Sequence, residues 1–317
     1  MEDLIARAML NSRLICIIGP TAVGKTEIAI NIAISINAEI VSVDSRQIYR
    51  KMDIGTAKPT LEQMKFVPHH VVDCVDPDVY FSVADYQRLA DKAIKDIQER
   101  GKVPMLVGGS GMYFRAVVDG LFDGPNADKE LRKRLKQEAE EHGIQWLYER
   151  LEIIDPKAAS IIHHNDLLRI IRALEVFELS GNRISDLQHQ WNGENPRYHF
   201  IAFGLNRPRD ELYKRIELRI DQMMVDGLLD EVRKLSGYSR DLLSMNCLGY
   251  KEFFGYIDGK CGLNEAIDLV KRNTRHYAKR QLTWFKKDKR ITWIDLSICP
   301  SPKDFIIEEF LKNEIST

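Results

Sequence analysis

The chain has 317 residues, with 46 Lys or Arg against 47 Asp or Glu, a formal net charge of −1. Hydrophobic residues make up 44% and charged residues 29% of it, the composition of a globular protein of about two domains. No apolar run approaches the roughly 18 residues that a membrane span needs, and the N-terminus lacks the apolar segment of a signal peptide. These features argue against a membrane protein, and we expect a cytoplasmic monomer.

Short apolar runs alternate with helical patterns through the N-terminal third of the chain. Strands are predicted at 14–18, 40–43 and 103–107, and helices at 26–36 and 83–99. Strands that alternate with helices in this way predict βαβ units, and therefore a parallel sheet.

In the middle of the chain, the alternation of strands and helices ends at residues 124–126, Gly-Pro-Asn, which predict a turn. From there to about residue 198 the patterns are helical, and no strand is predicted. We therefore predict an all-helical insertion domain at 123–190 between two segments of the core, 1–122 and 191–317. The helices predicted within this insertion are 129–141, 144–152 and 167–179.

Beyond the insertion the chain returns to an α/β pattern. A strand is predicted at 198–204, followed by long helices at 209–235, 249–258 and 263–287. A final strand at 291–295 precedes a terminal helix. The fold class that these elements predict is α/β, with helices flanking one parallel sheet.

Residues 19–26 read Gly-Pro-Thr-Ala-Val-Gly-Lys-Thr and match the pattern G-x-x-x-x-G-K-[ST] in full. The loop lies between a predicted strand and a predicted helix, where backbone N–H groups and the helix N-terminus can bind a phosphate. Lys25 would neutralise phosphate oxygens, and the Thr26 hydroxyl would hold Mg²⁺. The pattern indicates a di- or triphosphate ligand, but it does not name the reaction.

Polar clusters follow two other predicted strands, at the edge where open α/β sheets bind ligands. Asp44 begins the first cluster, and the second starts at Gly108. The Asp44 carboxylate could act as a general base, bind Mg²⁺ or cap the next helix. The segment 71–73 is too short for the acidic strand of a conventional P-loop NTPase, which counts against a motor or a GTPase.

Several motifs together resemble those of the bacterial tRNA dimethylallyltransferases (tRNA isopentenyltransferases). They are GPTAVGKT, DSRQIY, GTAKPT, GGSGMYFRAVVDGL, RALEVFELSG, LGYKE and KRQLTWF. The resemblance implies a P-loop NTPase-like core with a helical insertion domain that contacts tRNA. It also implies transfer of a dimethylallyl group from dimethylallyl diphosphate to N6 of the adenosine immediately 3′ of the anticodon, with Mg²⁺ as cofactor and the anticodon stem-loop as partner.

The resemblance also implies roles for particular residues. Asp44 matches the catalytic base, Thr21 lies near the bridging oxygen of the leaving diphosphate, and Arg219 is preferred over Arg215 as its arginine ligand. The residues implied to bind diphosphate are Gly19, Thr21, Ala22, Val23, Gly24, Lys25, Thr26, Ser110, Arg215 and Arg219. Those implied to bind tRNA are Asp44, Ser45, Arg46, Gln47, Asn165, Arg169, Arg172, Asn246, Cys247, Gly249, Tyr250, Lys251 and Arg280.

Some of these features also have a purely structural interpretation. Arg215 and Arg219 are one helical turn apart and could form solvated ion pairs with acidic neighbours. Tyr277, Trp284 and Phe285 could stack on bases, but packing in the core is the favoured interpretation. Three rival functions remain open: a small-molecule or nucleotide kinase, an adenylate prenyltransferase acting on free nucleotide, and a non-catalytic RNA-binding protein.

The near-zero net charge conceals an uneven distribution. Residues 271–290 hold nine Lys or Arg and one Asp, a net charge of +8, so the other 297 residues carry −9. This basic patch could be only the solvated face of a helix. Together with the resemblance, it predicts contact with an RNA backbone and an affinity that falls with salt.

Overall fold

The structure is a computed structural model that describes residues 13–188 and 195–315. The chain divides into two compact units, one formed by Met1–Val118 with Arg197–Thr317 and the other by Asp119–Pro196. Each unit has its own cluster of buried apolar side chains. The segment predicted as an insertion, 123–190, lies within the second unit.

The first unit is a parallel β-sheet with helices packed against it. Its strands are β1 (Leu14–Ile18), β2 (Ala38–Val43), β3 (His69–His70), β4 (Val103–Gly108), β5 (Phe200–Asn206) and β6 (Ile291–Asp295). Its helices are α1 (Lys25–Ile36), α2 (Leu61–Phe66), α3 (Val83–Glu99), α4 (Gly111–Val118), α10 (Arg209–Val225), α11 (Leu228–Lys234), α12 (Tyr250–Ile257), α13 (Leu263–Phe285) and α14 (Pro302–Ile315).

The strand order β3-β2-β4-β1-β5-β6, with every described pairing parallel, confirms the predicted α/β class. All residues of β1, β2 and β4 are buried, as expected for strands covered on both faces. The register places Gly108 level with Ile18 on one side and with Val43 on the other. The loops that follow β1, β2 and β4 therefore meet at one edge of the sheet, and this meeting point sets the position of the site.

Two features of the first unit differ from the predictions. The helix predicted at 209–235 is two helices, α10 and α11, because the chain turns at Asp226 and Gly227. Gly227 has φ of 98°, a left-handed conformation that ends a helix and that glycine adopts without strain. The short elements α2 and β3 were not predicted, because six and two residues are too few to show a periodic pattern.

The second unit is helical in the part that the structure describes. Its apolar core includes Leu135, Leu147, Leu151, Ile170 and Leu174, all 0% exposed. None of the described helices in either unit has the length and apolar character needed to cross a membrane. The helices of the second unit are α5 (Lys129–His142), α6 (Ile144–Ile154), α7 (Pro156–Ala159), α8 (Leu167–Ser180) and α9 (Ile184–Leu187).

Candidate functional site

The phosphate-binding loop, residues 19–26, connects β1 to α1 as predicted. Lys25 folds back over this loop, and its ammonium group donates hydrogen bonds to the carbonyl oxygens of Gly19 (3.0 Å) and Pro20 (2.7 Å). Burial lowers the pKa of Lys25 to about 7, with the nearby Arg219 charge adding to the effect and Asp44 opposing it. An anion in the loop would favour the charged form of Lys25, so the loop is electrostatically suited to a phosphate group.

Three arginines surround the phosphate-binding loop. The Arg215 Nε donates to the Ala22 carbonyl (2.9 Å), and an Arg219 guanidinium nitrogen lies 3.5 Å from the Thr21 hydroxyl. The Arg207 Nε donates to the Val23 carbonyl at 3.0 Å. Within the described residues, no carboxylate lies within 4.0 Å of Arg215 or Arg219, so the predicted ion pairs are absent there. Arg215 is nevertheless exposed, as a solvated face requires, whereas Arg219 is partly buried. Arg207 was missed because it is an isolated arginine just after a strand.

Asp44 occupies the first position after β2. Its Oδ1 accepts hydrogen bonds from the backbone N–H groups of Arg46 (2.8 Å) and Gln47 (3.4 Å). No helix begins at this turn, so the alternative that Asp44 caps a following helix is wrong. Burial raises the pKa of the Asp44 carboxyl. The two backbone hydrogen bonds and the positive charges of Lys25 and Arg46 offset part of that increase. A carboxylate with a raised pKa beside a phosphate-binding loop is a suitable general base.

The Gln47 side chain is held at both ends of its amide. Its oxygen accepts from the Ser42 hydroxyl at 3.0 Å, and its nitrogen donates to the carbonyl oxygens of Thr56 (3.3 Å) and Ala57 (3.1 Å). These contacts join the Asp44 turn to the GTAKPT motif. The motif therefore supports the site from one side, a role that its sequence did not reveal.

A cavity of about 480 Å³ in the first unit brings the predicted groups together. Thr21, Lys25, Asp44 and Arg219 all line it, and its other walls come from the turn after β2, the end of β4 and helices α10 and α13. Its apolar lining includes Ile216, Ile220, Met223, Leu228 and Val270. The cavity can hold a phosphorylated ligand that also has an apolar part.

The aromatic residues of α13 divide between the core and the cavity. Phe285 is 0% exposed, which confirms the favoured core interpretation for that residue. Trp284 is partly buried and packs against Gly111. Tyr277 instead lines the cavity near Asp44, and burial raises its pKa to about 12, so it is a neutral hydroxyl at physiological pH. Assigning all three rings to the core was wrong for Tyr277.

Of the residues implied to bind tRNA, Ser45, Arg46, Gln47, Asn246, Cys247, Gly249, Lys251 and Arg280 line the same cavity as Asp44. Tyr250 is not among the residues that line this cavity, and it is fully buried, with 0% exposure. Its hydroxyl donates to Glu231 at 2.6 Å, and its ring packs against Gly55. Tyr250 therefore braces the backbone at Gly55 and does not present its ring to a partner.

The three remaining residues of that set lie in the second unit. Asn165 and Arg169 are exposed, and Arg169 pairs with Asp166 at 3.3 Å. Arg172 is partly buried and donates to Glu175 (2.5 Å) and to the Pro125 carbonyl (2.9 Å). In this structure, Asn165 and Arg169 are accessible, whereas the guanidinium of Arg172 is engaged within its own unit.

The basic patch is partly neutralised by neighbouring acids. Lys271 pairs with Asp221 and Arg275 with Glu217, each at 2.6 Å. Six other basic residues of the patch have no carboxylate within 4.0 Å in the described part of the chain, and all six are exposed. They are Arg272, Lys279, Arg280, Lys286, Lys287 and Lys289.

Sequence reasoning missed two further polar residues at the site. Glu231 of α11 accepts from three consecutive backbone N–H groups at 53–55, and Gln281 of α13 contacts both Thr21 and Gly109. Gln281 belongs to the motif KRQLTWF, but its spacing from the phosphate-binding loop gave no signal. Such contacts depend on where the chain folds back on itself.

A phosphate-binding loop, a buried carboxylate and arginines around one cavity, on a parallel sheet with this strand order, define an α/β protein with a P-loop-like fold. Residues 47–288 match the family model described as IPP transferase. The chain belongs to the IPP transferase family and is therefore a transferase. This result confirms the family to which the sequence motifs point.

Relatives and solved structures agree over most of the chain. The tRNA dimethylallyltransferase 1 of Pelobacter propionicus is 50% identical over 285 residues, which is 89% of this chain and 92% of that protein. A crystal structure of the tRNA isopentenylpyrophosphate transferase of Bacillus halodurans is 44% identical with a TM-score of 0.71, covering 96% of this chain and 98% of that one. A eukaryotic dimethylallyltransferase acting on tRNA is 26% identical with a TM-score of 0.78, over 95% of this chain and 80% of that one.

Proposed function

We propose that this protein transfers a dimethylallyl group from dimethylallyl diphosphate to N6 of the adenosine immediately 3′ of the anticodon in tRNA and releases diphosphate. The observation that carries the proposal is the single cavity lined by the phosphate-binding loop, Asp44 and Arg219. The names of the relatives support the choice of donor and acceptor.

The phosphate side of the cavity handles the leaving group. As the bond between the allylic C1 and the diphosphate oxygen breaks, negative charge grows on the diphosphate, and donors already in place stabilise it. Lys25, Arg219 and the Thr21 hydroxyl surround that position, with Arg215 on the flank of the loop. The apolar lining beside them suits the hydrocarbon part of the donor.

The other side of the cavity handles the nucleophile. The adenine amine is weak because its lone pair is delocalised into the ring, so a base must remove its proton as it attacks C1. Asp44 is the base in this proposal: it takes the N6 proton, while the new N–C bond forms and the electrons of the broken C–O bond leave with diphosphate. The turn that presents Asp44 also presents Ser45 and Arg46 to the cavity.

The residues at the loop also fit Mg²⁺. Thr26, at the start of α1, and Asp44 both line the cavity and offer the hydroxyl and carboxylate oxygens that Mg²⁺ binds. No group of three or more His, Cys, Asp or Glu in the described ranges could hold a metal by itself. Thr26 would thus share the ion with diphosphate oxygens and water, and the ion would neutralise part of the leaving-group charge.

The macromolecular partner in this proposal is the anticodon stem-loop of tRNA, bound by one copy of the chain. The exposed cations of the basic patch provide contacts to phosphates, and Arg280 of that patch lines the cavity itself. The target base leaves the anticodon stack to enter the cavity, at a cost of a few kcal/mol.

One assay tests the reaction and its rivals together. Purified protein is incubated with Mg²⁺, dimethylallyl diphosphate labelled in the allyl group, unmodified tRNA and free AMP. We expect label in tRNA, at the adenosine 3′ of the anticodon after nuclease digestion. Label in AMP but not tRNA would identify an adenylate prenyltransferase, and no transfer by correctly folded protein would refute the proposal.

A further inference from the structure

Gln281 on α13 is a buried polar side chain, 7% exposed, with both ends of its amide engaged. Its Oε1 accepts the backbone N–H of Thr21 at 2.9 Å, and its Nε2 donates to the Gly109 carbonyl at 2.9 Å. Thr21 belongs to the phosphate-binding loop after β1, and Gly109 belongs to the turn after β4. One amide therefore ties together two turns that form the phosphate side of the cavity.

The contact at Gly109 leaves no room for a side chain. A Cβ at this position would lie 2.3 Å from the Gln281 Nε2 and 3.0 Å from the Gly19 carbonyl oxygen. The phosphate-binding loop, the turn after β4 and the Gln281 amide are therefore packed directly against one another. A shift of the amide would move either Thr21 or Gly109.

We propose that Gln281 is a positioning residue that holds Thr21 in the geometry required for departure of diphosphate, an inference that rests on the proposed function. Gln281 accepts a hydrogen bond from the Thr21 N–H and so orients Thr21, whose hydroxyl lies beside Arg219. A direct contact between Gln281 and RNA is disfavoured, because the amide is buried and both its oxygen and its nitrogen are already bonded. Gln281 acts through Thr21 and does not touch the reacting atoms.

The test compares Gln281→Met, which removes both hydrogen bonds at similar volume, with Gln281→Glu, which can still accept from the Thr21 N–H. Single-turnover transfer at saturating dimethylallyl diphosphate and tRNA should be slower by at least about tenfold in Q281M, as expected for misplaced groups, with the KM for tRNA unchanged. Q281E should retain more of the rate than Q281M. Thr283→Ala is the matched control, because Thr283 is exposed on the same helix and its hydroxyl bonds only to the Lys279 carbonyl in that helix.

A second perturbation approaches the same contact from the opposite side. Gly109→Ala should displace the Gln281 amide and slow the single-turnover rate as Q281M does. The combined G109A/Q281M variant should be slowed by less than the product of the two separate effects, because both changes break the same interaction. Because the two single variants perturb the contact from opposite sides, either one alone tests the inference if the other does not fold.

Other outcomes would overturn the inference. A raised KM for tRNA at an unchanged single-turnover rate would make Gln281 an RNA contact, and a lowered melting temperature at an unchanged rate would make its role purely structural. If wild-type protein transfers no label, the proposed function fails instead. The affinity for inorganic diphosphate, measured by calorimetry, then decides the positioning role: it should weaken severalfold in Q281M and stay unchanged in T283A.

Discussion

The environment of Asp44 is what makes this single carboxylate suitable for proton transfer. Two backbone N–H groups orient it, while burial raises its pKa against the opposing effect of Lys25 and Arg46. A carboxylate that is hard to keep ionised is a stronger base than an exposed one, because its proton affinity is higher. Burial also lowers the pKa of Lys25, so the same cause shifts the pKa of both groups toward the neutral form.

Asp44→Asn should keep tRNA binding and reduce the transfer rate at least about 10²-fold, the low end for loss of a general base. The base works only when ionised, and its pKa is raised, so kcat/KM of the wild type should fall on acidification at a higher pH than an exposed aspartate would give. That acidic limb should be missing from the residual activity of D44N. Both points are checked by measuring kinetics across pH for the wild type and D44N. The control is Asp78→Asn, which changes an exposed aspartate. Near-full turnover by D44N would remove Asp44 from this role.

At the scale of the elements, the segment 53–58 has no regular secondary structure, and two charged side chains, Glu231 and Lys58, hold it in place. The Glu231 carboxylate of α11 accepts the N–H groups of Asp53 (2.9 Å), Ile54 (2.8 Å) and Gly55 (3.0 Å), and also the Tyr250 hydroxyl. At the other end of the segment, the Lys58 side chain is 4% exposed and pairs with Asp53 and Asp73. The segment in turn provides the carbonyl groups that hold Gln47 beside Asp44.

Glu231→Gln should lower the free energy of unfolding by about 1.5–3 kcal/mol, because an amide cannot accept all four hydrogen bonds and its own N–H atoms face other donors. Tyr250→Phe removes only one of the four and should cost about 1 kcal/mol or less. Urea unfolding, monitored by a spectroscopic probe placed in the first unit, measures the free energy of unfolding of both variants. Equal destabilisation of the two variants would show that the hydrogen bonds from the N–H groups at 53–55 contribute little.

Across the whole molecule, charge is segregated although the total is close to zero. The segment 271–290 carries a net charge of +8, and Lys271 and Arg275 of that segment are paired with acids of α10. The exposed cations that lack such partners include Lys286 and Lys287 at the end of α13. Counterions released from RNA phosphates at such a surface make binding weaker as salt increases.

The variant Lys286→Ala with Lys287→Ala should therefore weaken tRNA binding at low salt. It should also reduce the slope of log affinity against log salt by about 0.7 for each phosphate that the protein no longer neutralises. Filter binding or fluorescence titration from low to moderate salt gives the slope. Lys92→Ala with Lys95→Ala, on α3 outside the patch, is the control and should leave the slope unchanged. An unchanged slope in K286A/K287A would place the RNA elsewhere.

The local part of the site was predictable from sequence. A phosphate-binding loop needs a contiguous run of residues after a buried strand, and the turn at Asp44 follows another such strand, so both could be placed by pattern alone. Parallel strands end at a common edge, and this geometry is enough to predict that the two turns lie together. The elements that were missed include α2, β3, α7 and α9, each of six residues or fewer and therefore too short to show a periodic pattern.

The chain by itself thus determined the α/β class, the phosphate-binding loop and the family, because each depends on neighbouring residues or on a periodic pattern. Only the tertiary structure decided that Gln281 reaches Thr21 across 260 positions, that Glu231 holds the segment 53–55, and that Tyr250 is buried. Contacts between distant residues depend on how the whole core packs. No local preference encodes them, and they hold the reactive groups in place.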